Sequence, residues 1–110
     1  MSEAQEAFES AVRDAFKEMH GALGYNPRRA LNMVNQYGAV DAARRLLYMP
    51  GETSQGLETL WEHHRLDLSI EALMLKPEFA SLFTEDERAL ARKILKDHGD
   101  YRPPWDTLTD

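Results

Sequence analysis

The sequence predicts an all-α protein, a compact single-domain bundle of five to six helices. Helix-favouring Ala and Leu are abundant, whereas the β-branched residues Val and Ile, which favour strands, are scarce. Apolar residues recur at three- and four-residue steps in one segment after another, and no long stretch alternates strictly between apolar and polar residues as a half-buried strand would. A chain of 110 residues fits one domain with a single core.

The first helix is predicted from about Glu3 to Leu23. Its apolar residues form one stripe, and most of its charged residues lie on the opposite face, as in a helix that packs on a core. The stripe comprises Phe8, Ala11, Val12, Ala15, Phe16, Met19, Ala22 and Leu23. Gly21 and Gly24 weaken the end of this helix, because glycine loses more backbone entropy than other residues when it becomes helical.

The second and third helices are predicted on either side of Gly38. Asn26 is expected to cap the second helix, and Pro27 suits its first position because proline has no N–H group to leave unpaired. Gly38 is expected to adopt the left-handed conformation at the end of that helix. The third helix follows over about residues 39–48, and Pro50 is expected to end it.

Short polar residues mark the next two helices. The expected caps are Thr53 or Ser54 for the fourth helix and Asp67 or Ser69 for the fifth. Pro77 should stop the fifth helix, and residues 77–83 should form a brief helical turn.

The last helix has the clearest start, because Thr84 and Glu87 form a capping box. Gly99 is expected to close it. These elements define a helical domain over residues 1–100, with an N-terminal amphipathic helix at 1–23 and a core at 24–99. Residues 101–110 form a tail that contains Pro103, Pro104 and Trp105. Either Trp105 docks on the core, or the tail is a peptide-like arm for a partner.

Composition narrows the classes of function. There is no cysteine, which excludes disulfides, zinc ribbons and thiol catalysis. The net charge of −6 argues against a dedicated nucleic-acid coat or a membrane-surface protein. No apolar run approaches the ~20 residues that a membrane helix needs, and the acidic N-terminus does not resemble a signal peptide. The expected location is therefore cytoplasmic.

The residues that usually carry chemistry show no catalytic pattern. His63 and His64 are adjacent, so on a helix they point about 100° apart and cannot easily share one ion. The serines lie in no nucleophile elbow, and the glycines form no phosphate-binding loop. Nothing in the sequence places two carboxylates together in a cavity. The sequence predicts no enzyme, no metal site and no cofactor, and an interior without a reactive cavity.

A basic segment is the stronger candidate for a contact surface. Arg28 and Arg29 begin one helix, and Arg44 and Arg45 lie near the end of the next. With Gly38 between them, these helices resemble part of a helix-turn-helix motif that would bind nucleic acid. Acidic residues on the following helix, Glu58 and Glu62, would repel phosphate there. The alternative interpretation is a helical hairpin with exposed arginines.

Four stretches together resemble a small bacterial all-helical domain of uncharacterised function. They are Gly24-Tyr25-Asn26-Pro27, then residues 38–47, then residues 56–71 around Trp61-Glu62 and Arg65-Leu66-Asp67-Leu68-Ser69-Ile70-Glu71, and finally Pro77-Glu78-Phe79 with Leu82-Phe83-Thr84 and Glu87. The resemblance implies an accessory component of a bacterial defence or nucleic-acid system, and it brings no catalytic residues. Arg65, Asp67 and Glu71 either form a polar cluster that holds a turn or present a surface to a partner.

The leading hypothesis is a non-enzymatic protein-interaction or assembly module that binds a protein partner or itself. Its candidate contact residues are Arg28, Arg29, Arg44, Arg45 and Arg65. The alternative is a helix-turn-helix-like domain that binds nucleic acid through Arg28, Arg29, Arg44 and Arg45. A third hypothesis is a small-molecule sensor or enzyme with a cleft near Trp61, His64 and Arg65.

Overall fold

The computed structural model describes residues 2–106, with only the backbone described for 50–55. It contains six α-helices and two 3₁₀ segments: α1 (Glu3–Leu23), α2 (Arg28–Tyr37), α3 (Ala39–Leu47), α4 (Pro50–Glu62), the first 3₁₀ segment (Leu66–Leu68), α5 (Ile70–Met74), the second 3₁₀ segment (Pro77–Leu82) and α6 (Glu85–Gly99). The described residues include no strand, so the all-α prediction is confirmed. The predicted number of five to six helices is too low, because the 3₁₀ segments add to the six α-helices.

Helix α1 has the predicted bounds, and Ser2 and Gln5 cap its start with an unpredicted capping box. The Ser2 hydroxyl accepts a hydrogen bond of 3.1 Å from the Gln5 amide, and the Gln5 side chain accepts one of 3.0 Å from the Ser2 amide. This reciprocal pair satisfies two amides that have no partner within the helix. The predicted apolar stripe places Phe8, Val12 and Phe16 in the core.

The junction of α2 and α3 differs from the prediction in two details. Asn26 does not cap α2 through its side chain; the helix begins at Arg28, directly after Pro27. Gly38 has a positive φ of 84°, but its ψ of 161° is extended rather than left-handed helical. A side chain from α1 supplies the cap of α3, since Glu9 accepts a hydrogen bond of 3.3 Å from the Ala39 amide. The negative charge of this carboxylate also interacts favourably with the positive N-terminal end of the α3 dipole.

The start of α4 was predicted wrongly. Pro50 begins this helix instead of merely ending α3, so the predicted caps Thr53 and Ser54 lie inside it. Proline fits this place because the first helical amides have no partner within the helix.

The N-terminal caps of α5 and α6 are confirmed. Ser69, one of two candidates, caps α5 by accepting a hydrogen bond of 3.1 Å from the Ala72 amide. Thr84 and Glu87 form the predicted capping box on α6. This helix does end at Gly99, but the left-handed residue that follows it is Asp100, at φ 49°.

One hydrophobic core connects all the helices. Its aromatic centre is Phe8 of α1, whose ring lies edge-on to the rings of Phe79 and Phe83, each at 5.1 Å between centroids. Such edge-to-face pairs add about 0.5–1.5 kcal/mol to the gain from burial. The rest of the core is aliphatic, with Met74, Leu75 and Leu95 fully buried.

The tail packs on this domain as far as the structure describes it, to residue 106. Trp105 is hydrogen-bonded to α5, and Arg92 of α6 forms a two-pronged ion pair with buried Asp106, at 2.8 and 3.1 Å. Of the two interpretations of the tail, docking of Trp105 on the core is therefore confirmed; residues 107–110 lie outside the described residues. No helix within the described part has the length and apolar character that crossing a membrane requires.

Candidate functional site

The five arginines predicted as contact residues have three different environments. Arg44 holds other parts of the fold together. Its Nη2 donates a hydrogen bond of 2.7 Å to the Leu82 carbonyl, and its Nε donates one of 3.1 Å to the Glu87 carboxylate. Its guanidinium also lies 5.7 Å from the centre of the Phe83 ring. Arg44 thereby ties α3 to the second 3₁₀ segment and to α6.

Arg65 belongs to a local turn. Its Nε and Nη2 donate hydrogen bonds of 3.1 and 3.3 Å to the two carboxylate oxygens of Asp67. The hydrogen bond to Asp67 raises the pKa of Arg65, and a small burial effect opposes it. The side chains of both residues are about one-third exposed, so this pair stabilises the fold only modestly. Of the two interpretations, the polar cluster that holds a turn applies to Arg65 and Asp67, and no hydrogen bond or ion pair joins Glu71 to either residue.

Arg45 is exposed and lies at the end of α3 beside large exposed side chains. Its guanidinium lies 3.9 Å from the centre of the Tyr37 ring, a close cation–π contact. Tyr48 is 65% exposed, and Met49 and Tyr37 are about 40% exposed. We call Tyr37, Arg45, Tyr48 and Met49 the α3 corner. Within the described part of the chain, Arg45 forms no ion pair.

Arg28 and Arg29, the remaining two, line a pocket between α1, α2, α4 and α5. The pocket has a volume of about 320 Å³. Its apolar wall comes from buried core residues: Phe16, Met19, Leu46, Leu57, Leu60 and Ile70. The prediction of an interior without a reactive cavity stays a prediction, because this pocket opens to the surface. None of Trp61, His64 and Arg65, near which the third hypothesis expected a cleft, lines this pocket.

Glu71 is the most unusual residue of the pocket. It is only 4% exposed, although it carries a carboxyl group and lies in the first turn of α5. Burial raises its pKa, and a hydrogen bond from its own backbone amide and the positive charge of His98 partly oppose that rise. No side chain in the described part of the protein donates a hydrogen bond to it. The sequence does contain a sign of this burial, because Glu71 is the one charged residue in the apolar stretch 68–75.

Two other polar residues of the pocket are constrained by its walls. Burial raises the pKa of the Tyr25 hydroxyl, which lies close to the backbone of Gly56; a methyl group added to Gly56 would come within 3.0 Å of that oxygen. The Ser69 hydroxyl donates a hydrogen bond of 2.7 Å to the Leu66 carbonyl while it caps α5. This serine therefore has a structural role.

The histidines do not join the pocket. His20, His63 and His64 are exposed, and Nδ1 of His98 lies 2.9 Å from the Ile94 carbonyl within α6. Among the described residues, no group of three or more histidine, aspartate or glutamate side chains is arranged to hold a metal ion.

Comparison with known proteins gives no relative: the chain matches no family model, no curated protein and no solved structure.

Proposed function

We propose that this chain is a non-catalytic protein-interaction module of the cytoplasm that binds its partner through the α3 corner. The observation that carries the proposal is the stacking of Arg45 on Tyr37 beside exposed Tyr48 and Met49. Tyrosine, methionine and arginine are enriched at protein interfaces, and tyrosine and arginine are frequent among the few residues that supply most of the binding free energy.

The charge of Arg45 defines the chemistry of the partner. Because Arg45 has no acidic partner among the described residues, a complementary surface would bring a carboxylate to it and apolar groups to Tyr48 and Met49. The stacking on Tyr37 holds the guanidinium in place, which lowers the entropy lost on binding. From the resemblance stated above, we infer that the partner is a larger protein of a bacterial defence or nucleic-acid system.

The position of the arginines favours this function over nucleic-acid binding. A phosphate-binding surface needs several free cations on one face. Arg44 is already committed to Leu82 and Glu87, and Arg65 to Asp67. Arg28 and Arg45 form no ion pair with any described residue, and two such cations on a chain whose net charge is −6 make a weak phosphate-binding surface.

Site-specific photo-crosslinking in the native cell tests the proposal. A benzophenone amino acid would replace Tyr48 in one variant and Lys93 of α6 in a control variant, since both side chains are well exposed. We expect a crosslinked protein from the Tyr48 position alone, with the crosslink mapped to a segment that contains Asp or Glu.

The identified segment would then be titrated with purified protein. Arg45→Ala should weaken its binding by about tenfold, the effect of a central interface residue, and Lys93→Ala should leave it unchanged. Crosslinking to a second copy of the chain would identify the partner as the chain itself. Crosslinking to nucleic acid, or equal crosslinking from both positions, would contradict the proposal.

A further inference from the structure

The pocket between α1, α2, α4 and α5 carries opposite charges at different depths. Glu71 is almost completely buried, whereas Arg28 is exposed at the start of α2. Both residues line the pocket, and its apolar lining residues include Phe16, Met19, Leu57 and Leu60. Arg28 forms no ion pair with any described residue. The pocket therefore has an acidic interior, an apolar wall and a basic rim.

The acidic interior favours a ligand that donates hydrogen bonds. Burial removes most of the hydration of a carboxylate, and among the described residues no side chain donates a hydrogen bond to Glu71. An ammonium group brought into the pocket would supply both a positive charge and hydrogen-bond donors. The wall formed by Phe16, Met19 and Leu57 suits a hydrocarbon or aromatic body attached to that ammonium group.

The basic rim disfavours a ligand whose only charge is an ammonium group. A purely cationic amine would be repelled by Arg28 as it entered, and a purely anionic ligand would be repelled by ionised Glu71 inside. A molecule with an ammonium group at one end and a carboxylate at the other matches both charges. The volume of about 320 Å³ lies near the lower limit for small-molecule sites, which indicates a ligand of metabolite size.

We propose that this pocket binds a small zwitterion, with the ammonium group paired to Glu71, an apolar body against Phe16 and Met19, and a carboxylate at Arg28. This site is separate from the α3 corner, because none of the four corner residues lines the pocket. The module would thus carry a small-molecule site in addition to its protein contact.

Calorimetric titration of the full chain with matched probes tests the site. The zwitterionic probes are 6-aminohexanoate and 8-aminooctanoate, which differ in the distance between their charges. Hexylamine keeps only the ammonium group, and hexanoate keeps only the carboxylate. We expect at least one zwitterion to bind about tenfold more tightly than either single-charge probe, because each of these lacks one of the two charge pairs.

Three variants connect this binding to the pocket. Glu71→Gln preserves the shape of the side chain and removes its charge, so it should weaken binding of the zwitterion about tenfold. Arg28→Gln should weaken it about threefold, because exposed ion pairs are weaker. Arg102→Gln, at an exposed arginine of the tail, should have no effect. Amide resonances of Tyr25 and Gly56 should shift on binding, since both residues line the pocket.

Arg28→Gln is expected to fold, because Arg28 is exposed. Its effect on binding of the zwitterion tests the proposal even if Glu71→Gln unfolds the chain. The proposal is wrong if no probe binds at millimolar concentration. It is also wrong if hexylamine or hexanoate binds as tightly as the zwitterions, or if Arg28→Gln binds them like the unsubstituted chain.

Discussion

The indole nitrogen of Trp105 donates a hydrogen bond of 2.7 Å to the backbone carbonyl of Ala72, which lies in α5. The ammonium group of Lys76 lies 4.8 Å from the centre of the same indole ring. The tail is thereby attached to the short helix that also carries Glu71. Since α5 has only five residues, its stability must come from such tertiary contacts rather than from its own hydrogen bonds.

Replacement of Trp105 should show how much the tail stabilises the domain. Trp105→Phe keeps an aromatic ring but removes the donor to the Ala72 carbonyl, and it should lower the free energy of unfolding by about 1 kcal/mol. Urea denaturation followed by far-UV circular dichroism measures this change. Trp61→Phe is the matched control, because Trp61 is 51% exposed and should change stability by less than about 0.5 kcal/mol. Equal effects of the two substitutions would contradict the docking of the tail.

Adjacent arginines on α3 should differ sharply in their effect on stability. Arg44→Ala removes hydrogen bonds to the Leu82 carbonyl and to Glu87, and should cost about 1.5–3 kcal/mol, as for hydrogen bonds to charged groups. Arg45→Ala removes only a surface contact with Tyr37 and should cost about 0.5 kcal/mol. Thermal and urea unfolding of both variants measure the difference. If Arg45→Ala proved the more destabilising of the two, the assignment of Arg44 to the fold and of Arg45 to the surface would be wrong.

The fold was largely predictable because its strongest determinants are local. The α1 stripe and the Thr84 capping box depend on residues three or four positions apart, and both are present in the structure. The errors arose where a local preference was ambiguous. Pro50 is compatible with the end of one helix and with the start of the next. Because α4 begins at Pro50, the predicted caps Thr53 and Ser54 lie inside that helix.

The pocket was not predictable because it depends on long-range packing. Glu71 resembles an exposed first-turn glutamate until neighbouring helices cover it. The sequence does not distinguish Arg44 from its neighbour Arg45. Arg44 has a structural role only because the fold brings the Leu82 carbonyl and Glu87 next to it. The resemblance to a bacterial helical domain stays a prediction, since no comparison supports it.

The buried carboxyl group of Glu71 should make stability depend on pH. Burial raises the pKa of Glu71 above its ordinary value of 4.5, so the folded state retains this proton at pH values where the unfolded state has lost it. The free energy of unfolding should therefore fall as the pH rises from about 4.5 through the folded-state pKa, and level off above it. The positive charge of His98 opposes the shift and narrows this range.

Glu71→Gln isolates this contribution, because all other groups titrate in both proteins. The variant should be about as stable as the unsubstituted chain near pH 4, and more stable by about 1 kcal/mol or more at neutral pH, where it avoids burial of a charge. Urea titrations at several pH values give the difference. A difference that stays constant with pH would show that the carboxyl group is not buried in the folded protein.

Two glycines in helices should respond in opposite directions to alanine. Nothing lies within 4 Å of a methyl group added to Gly21 near the end of α1, so Gly21→Ala should stabilise the chain by about 0.5–1 kcal/mol through helix propensity. A methyl group on Gly99 would come within 2.5 Å of Trp61 and 2.8 Å of buried Leu66. Overpacking of this kind costs about 1–3 kcal/mol, which exceeds the gain in propensity, so Gly99→Ala should destabilise the chain. Differential scanning calorimetry measures both changes, and a rise in melting temperature for Gly99→Ala would mean that α4 and α6 are not in close contact at Trp61.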